Sequence, residues 1–87
     1  MKIKGEWATK KVWIDGKLLS PVKSQKVYNH SPDGFNWSYG GSGPAQLALA
    51  ILIEFFPNDA LQYYQDLKRD FVAHMPERDF EMSFDIK

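Results

Sequence analysis

The residues best able to do chemistry lie at Gly40-Gly41-Ser42-Gly43-Pro44-Ala45-Gln46, where a hydroxyl and a carboxamide stand among three glycines. Glycines leave backbone N–H groups open to a ligand, and a helix that starts there favours an anion. A phosphate-binding loop would need Gly-x-x-x-x-Gly-Lys-Ser/Thr, and this stretch has no lysine. Nor does it fit Gly-x-Gly-x-x-Gly inside a strand-helix-strand unit. Its first role is therefore structural, letting a strand turn sharply and a helix pack close to a sheet. Its second is a site for an anion or a carboxylate. Ser42 has the outline of a nucleophile elbow, with Pro44 in place of the last glycine. Only His30 and His74 could serve it as base, and nothing in the chain reads as the α/β sheet that an elbow requires, so a hydrolase using Ser42 and His30 stands last among three readings.

Metal chemistry has less support. Two histidines 44 residues apart, no cysteine and no His-x-x-x-His pair leave only carboxylates, and Glu77, Asp79 and Glu81 lack the glycine and spacing of an EF-hand. No metal and no cofactor is expected. His74 is placed in the last turn of a helix, where a cation is favourable.

The scaffold must be small. Eighty-seven residues suffice for a single domain spanning 1–87, held by packing alone since cysteine is absent, with 44% hydrophobic residues to supply it. The N-terminus lacks an apolar signal region, and the run 47–53 is too short to cross a bilayer, so a cytoplasmic protein that does not engage a membrane is expected. Zero net charge hides a division: residues 1–26 carry seven lysines against Glu6 and Asp15, and residues 27–87 carry four basic against nine acidic groups. Lysines on strand edges discourage edge pairing. The same asymmetry gives the second functional reading, nucleic-acid binding through the basic N-terminal strands.

Residues 1–10 suggest a short edge strand or an extended arm. Asp15-Gly16 between the apolar runs 11–14 and 17–19 predicts a hairpin with a type I′ turn. It would set Val12, Ile14 and Leu19 on one side and Trp13 and Leu18 on the other, with at least one of the latter pair packed under a neighbouring segment. Pro21 ends its second strand. A second hairpin is predicted from residues 25–29 against 35–39 through Ser31-Pro32-Asp33-Gly34. Its aromatic face, Phe35, Trp37 and Tyr39, suits the core better than base stacking, and Tyr28, His30, Asn36 and Ser38 would face solvent. Ser42 or Gly43 would cap a nearly all-apolar helix over 45–56, with Pro44 in its first turn. Asn58 would cap a second helix burying Leu61, Tyr64, Leu67, Phe71, Val72 and Met75, which Pro76 stops. The tail alternates Phe80, Met82 and Phe84 as a strand would, though Ser83 could equally cap a short helix. The expected fold is α+β: a small antiparallel sheet of two β-hairpins, three or four strands in all, packed on an αα-hairpin.

The stretch Asn29-His30-Ser31-Pro32-Asp33-Gly34-Phe35-Asn36-Trp37-Ser38-Tyr39-Gly40-Gly41-Ser42-Gly43-Pro44-Ala45-Gln46-Leu47-Ala48-Leu49-Ala50 resembles the signature of a small domain family of unknown function from bacteria, phages and mobile elements. The likeness runs from about Val12 to Met75 and takes in Tyr64-Gln65-Asp66-Leu67-Lys68. It implies a bacterial or mobile-element origin and a cytoplasmic setting, and brings no substrate, cofactor or catalytic residue. The leading functional reading is thus a non-enzymatic binding or regulatory module. Its rim would comprise Asn29, His30, Gly40, Gly41, Ser42, Gly43 and Gln46, and its partner would be another protein or a small anion.

Overall fold

In the computed structural model, which describes residues 2–83, Asp15 and Gly16 take φ of 50° and 81° and fold Lys11–Ile14 (β2) back on Lys17–Leu18 (β3). This is the left-handed pair that a type I′ turn requires. Lys2–Glu6 (β1) pairs antiparallel with β2, opposing Ile3 to Ile14 and Gly5 to Val12. Phe80–Ser83 (β4) pairs with the other side of β1, giving the sheet order β3-β2-β1-β4. The N-terminal segment is therefore an inner strand of the sheet, neither an edge nor an arm. A partner 75 positions away, Gly5 to Phe80, supplies its second neighbour, and nothing local announces it.

Gly5 explains why the pairing closes there. A Cβ at this position would lie 2.1 Å from the Phe80 ring, so only glycine lets the ring lie across β1. The period-2 reading of the tail thus holds for residues 80–83, and the alternative helix would involve residues 84–87, outside those described. Ile3, Val12, Leu19 and Phe80 point inward and are buried, as alternation along the strands demands. Leu18 is exposed and Trp13 half-buried on the opposite face, beside Lys4.

The second hairpin does not form. Val22–Val27 is a short helix (α1), and residues 28–39 contain no strand. Pro21 has helical φ and ψ and its carbonyl accepts from the Gln25 N–H, so the residue expected to end a strand begins a helix. The Ser31-Pro32-Asp33-Gly34 turn exists as expected, with the Gly34 N–H on the Ser31 carbonyl at 3.2 Å and Gly34 at φ 105°. The flanking segments find other partners. Ser38, at φ 78°, breaks the extended run and donates its N–H to the Val72 carbonyl, and Tyr39 leaves the aromatic alternation for solvent. Phe35 and Trp37 are buried in the core, as expected of that face.

Ser42–Phe55 (α2) is the central helix. Gly41 is its N-cap, one or two residues before the expected cap, and ten of its residues are buried, so no single apolar stripe is needed. Ala60–Asp70 (α3) returns along it, with Asp59 rather than Asn58 at the cap position. Its inward stripe passes through Ala60, Tyr64 and Leu67, and Leu61 is 57% exposed. The helix ends at Asp70, before the expected stripe is complete. Val72–His74 forms a 3₁₀ turn, which puts Val72 and Met75 in the core and leaves His74 outside a regular helix end. The fold is α+β, with four antiparallel strands and three α-helices among the described residues, and the αα-hairpin of α2 and α3 is as the sequence led us to expect. No helix among the described residues is long and apolar enough to cross a membrane.

Candidate functional site

Gln46 enters α2 in its second turn, faces inward and has no exposed surface. A buried carboxamide has two acceptor sites and two N–H donors to satisfy. Its Oε1 accepts from the backbone N–H groups of His30 and Ser31, at 2.8 and 3.0 Å. Its Nε2 donates to Ser24 Oγ at 2.9 Å and to the Tyr28 carbonyl at 3.1 Å. The Ser24 hydroxyl passes its own proton to the Pro21 carbonyl at 2.8 Å. The amide orientation is unambiguous, because rotating it would set NH2 against two N–H groups. One side chain therefore holds the arc from Pro21 to Ser31 against α2, and it does so with the hydrogen bonds that a second hairpin would have made.

On the outer side of this clamp stand three rings. Tyr28 stacks on His30 with centroids 4.1 Å apart and planes 15° from parallel. His30 Nε2 lies 2.7 Å from Tyr64 Oη, and the two rings are tilted at 5.3 Å. Burial, and then the positive charge of Lys68, push the His30 imidazole below its ordinary value of 6.5. The folded chain thus favours the neutral ring, which can accept from or donate to the Tyr64 hydroxyl. The unfolded chain binds the extra proton more readily, so this contribution to stability is full above about pH 6.5 and falls as the pH drops through the lowered folded value. The thermal midpoint is therefore expected to fall between about pH 7 and pH 5, less steeply in His30→Gln than in the parent. Equal slopes in the two proteins would contradict this placement of His30.

The expected site residues fall into two groups. His30 and Gln46 are brought together, through the His30 backbone rather than its ring, and Asn29 lies exposed beside them. Gln46 and Gly43 are enclosed: a Cβ on Gly43 would sit 2.5 Å from Asn36 Cβ and 3.1 Å from its backbone nitrogen, so this glycine serves close packing. Gly40 and Ser42 are exposed at the start of α2, and Gly41 lies under the Tyr39 ring. Among the described residues no hydrogen bond joins Ser42 to His30, whose Nε2 is engaged by Tyr64. Of the four residues expected to face solvent from the second hairpin, Tyr28 is exposed, and His30, Asn36 and Ser38 are half-buried, because no hairpin carries them.

The signature stretch that supplies this clamp lies wholly inside a family match covering residues 3–87. The chain belongs to DUF6166, a family of unknown function. No curated protein matches it, and no solved structure matches it.

Within this DUF6166 domain, Ser24, Tyr28 and Tyr64 are the site residues that sequence reasoning missed. Tyr64 and Lys68 stand four apart on α3, a spacing that places them on one helical face. Nothing in Lys23-Ser24-Gln25 marks the serine as a buried partner. Among the described residues no group of three or more histidines or acidic side chains gathers as a metal site.

Proposed function

We propose that the domain is a non-enzymatic binding module of bacterial, phage or mobile-element origin, working in the cytoplasm. It docks another protein through the rim formed by Tyr28, Asn29, His30 and the exposed start of α2 at Gly40 and Ser42. The observation that carries this reading is the state of Tyr28. Its ring is 55% exposed yet fixed by stacking on His30, which is held by Gln46 through its backbone and by Tyr64 through its ring. An aromatic side chain already ordered before contact gives up little conformational freedom on binding, which is how tyrosines serve as anchors in recognition surfaces. Asn29 and Ser42 add polar groups able to fix orientation at its edge.

Origin rests on the resemblance of the signature stretch, and the cytoplasmic setting agrees with a chain that has no cysteine. The test is capture from cells of the source organism using the tagged domain, Tyr28→Ala and Asn29→Ala/Ser42→Ala. A partner retained by the parent and lost from Tyr28→Ala, with the far-ultraviolet circular dichroism unchanged, supports the reading. A partner held equally by all three proteins would place the contact elsewhere.

A further inference from the structure

The sheet has a second face, turned away from the helices, and its chemistry differs from that of the rim. Cross-strand register puts Leu18, Trp13, Lys4 and Glu81 in one row across all four strands. Lys11 lies two residues from Trp13 on β2, and Lys2 two residues from Lys4 on β1, so alternation brings both to the same face. All of these except the half-buried Trp13 are exposed. A shallow depression of about 340 Å³ runs beside the indole, lined by Lys2, Lys4, Trp13, Gly16 and Glu81.

The acidic groups on this face are Glu81 and Glu6. Glu81 is bound to Lys2 at 2.6 Å, and the Lys2 ammonium holds its carboxyl below the usual carboxylate range. Glu6 accepts the Thr9 hydroxyl at 2.7 Å. Among the described residues Lys4 and Lys11, which flank Trp13, form no ion pair, and the face as a whole sets Lys2, Lys4 and Lys11 against Glu6 and Glu81. The acidic residues of α2 and α3, among them Glu54, Asp66 and Asp70, lie on the helical layer. A polyanion approaching this molecule is therefore favoured at the sheet.

We propose that this outer face binds single-stranded nucleic acid, with Trp13 stacking a base and Lys4 and Lys11 neutralising backbone phosphates. A ring flanked by two lysines on an open sheet face matches a ligand that alternates π-faces with negative charge. A duplex does not fit as well, since its bases are stacked on one another and cannot lie on the indole. The face carries few directional donors around the ring, so recognition is of the strand and not of its sequence. The inference is independent of the Tyr28 rim, which lies on the helical layer.

Fluorescence anisotropy with a labelled mixed-sequence DNA of about 12 nucleotides, and the RNA of the same sequence, tests it. Binding is expected at about 50 mM salt, with log K falling against log salt at a slope of about −1.4, the value for two phosphates on a single strand. Lys4→Gln/Lys11→Gln is expected to flatten that slope to near zero. Trp13→Thr puts a residue of high strand propensity in its place and is expected to weaken binding roughly tenfold or more without changing the slope. Lys68→Gln, on α3, leaves both unchanged. The proposal is overturned by no binding at about 50 mM salt. It is equally overturned by binding indifferent to the Trp13 and lysine substitutions, by equal affinity for the matched duplex, or by retention on phosphatidylserine vesicles without oligonucleotide binding. The lysine substitutions lie at exposed positions, so a Trp13 variant that failed to fold would still leave the slope to decide.

Discussion

Gln46→Ala is expected to destabilise the folded chain by about 3–4 kcal/mol, since buried polar groups left without partners cost about 1–3 kcal/mol each. Removing the carboxamide orphans the N–H groups of His30 and Ser31 and the carbonyl of Tyr28. Ser24 is affected less, because its hydroxyl still reaches the Pro21 carbonyl. The 28–31 segment is only partly enclosed, so water recovers some of the loss and the total stays below three full penalties. For a domain of this size the thermal midpoint should fall by roughly 15–25 °C. Gln46→Glu is a sharper probe. It keeps an acceptor for the two N–H groups but turns an oxygen toward the Tyr28 carbonyl, and it buries a carboxyl, so its deficit should grow as the pH rises and the carboxyl must ionise. A loss below about 1 kcal/mol in Gln46→Ala would mean that the arc finds other partners, and the clamp would not hold Tyr28 in place.

Trp37→Ala should cost a similar amount, about 3–5 kcal/mol, as expected when a large aromatic side chain is deleted from a closed core. Trp37 has no exposed surface and meets Trp7 and Phe80 edge-on, at 5.6 and 5.0 Å between centroids. Its Nε1 donates to the Pro76 carbonyl at 3.1 Å. It thus joins the turn after β1, the strand β4 and the chain leaving the helical hairpin. Trp37→Phe separates the two contributions: the smaller ring retains most of the apolar packing and loses the hydrogen bond, at about 1–2 kcal/mol. Urea unfolding measures both, and an unchanged m-value would show that the substitutions act on stability and not on the extent of the unfolded surface. An alanine variant within about 1 kcal/mol of the parent would refute the central placement of this ring.

These two residues also show where reading the chain succeeds and where it stops. Trp37 was legible as core because it alternates with Phe35 in an aromatic run, and an aromatic face on a small α+β domain has nowhere else to go. Gln46 was legible only as part of a glycine-rich joint. That joint was read as a binding rim, and the structure instead gives Gln46 four internal partners. His30 was placed near the right neighbours for the wrong reason. A hairpin register put it on a solvent face, whereas a backbone bond to Gln46 and a ring contact with Tyr64 hold it half-buried. The aromatic ring left on an open sheet face is Trp13, not one of Phe35, Trp37 and Tyr39.

Local rules were sufficient for the Asp15-Gly16 turn, the all-apolar α2, the return helix α3 and the α+β class. Each depends on φ preferences, a cap or a period contained within a few neighbouring residues. Tertiary structure decided the fate of residues 22–39 and the place of β1 in the sheet. An extended segment must satisfy its N–H and C=O groups somewhere, and its own period does not say where. Here the partner of His30 and Ser31 is a carboxamide about 15 residues downstream, and the partner of β1 is a strand at the far end of the chain. The same long-range bonds that replaced a predicted hairpin are those that hold Tyr28 at the surface.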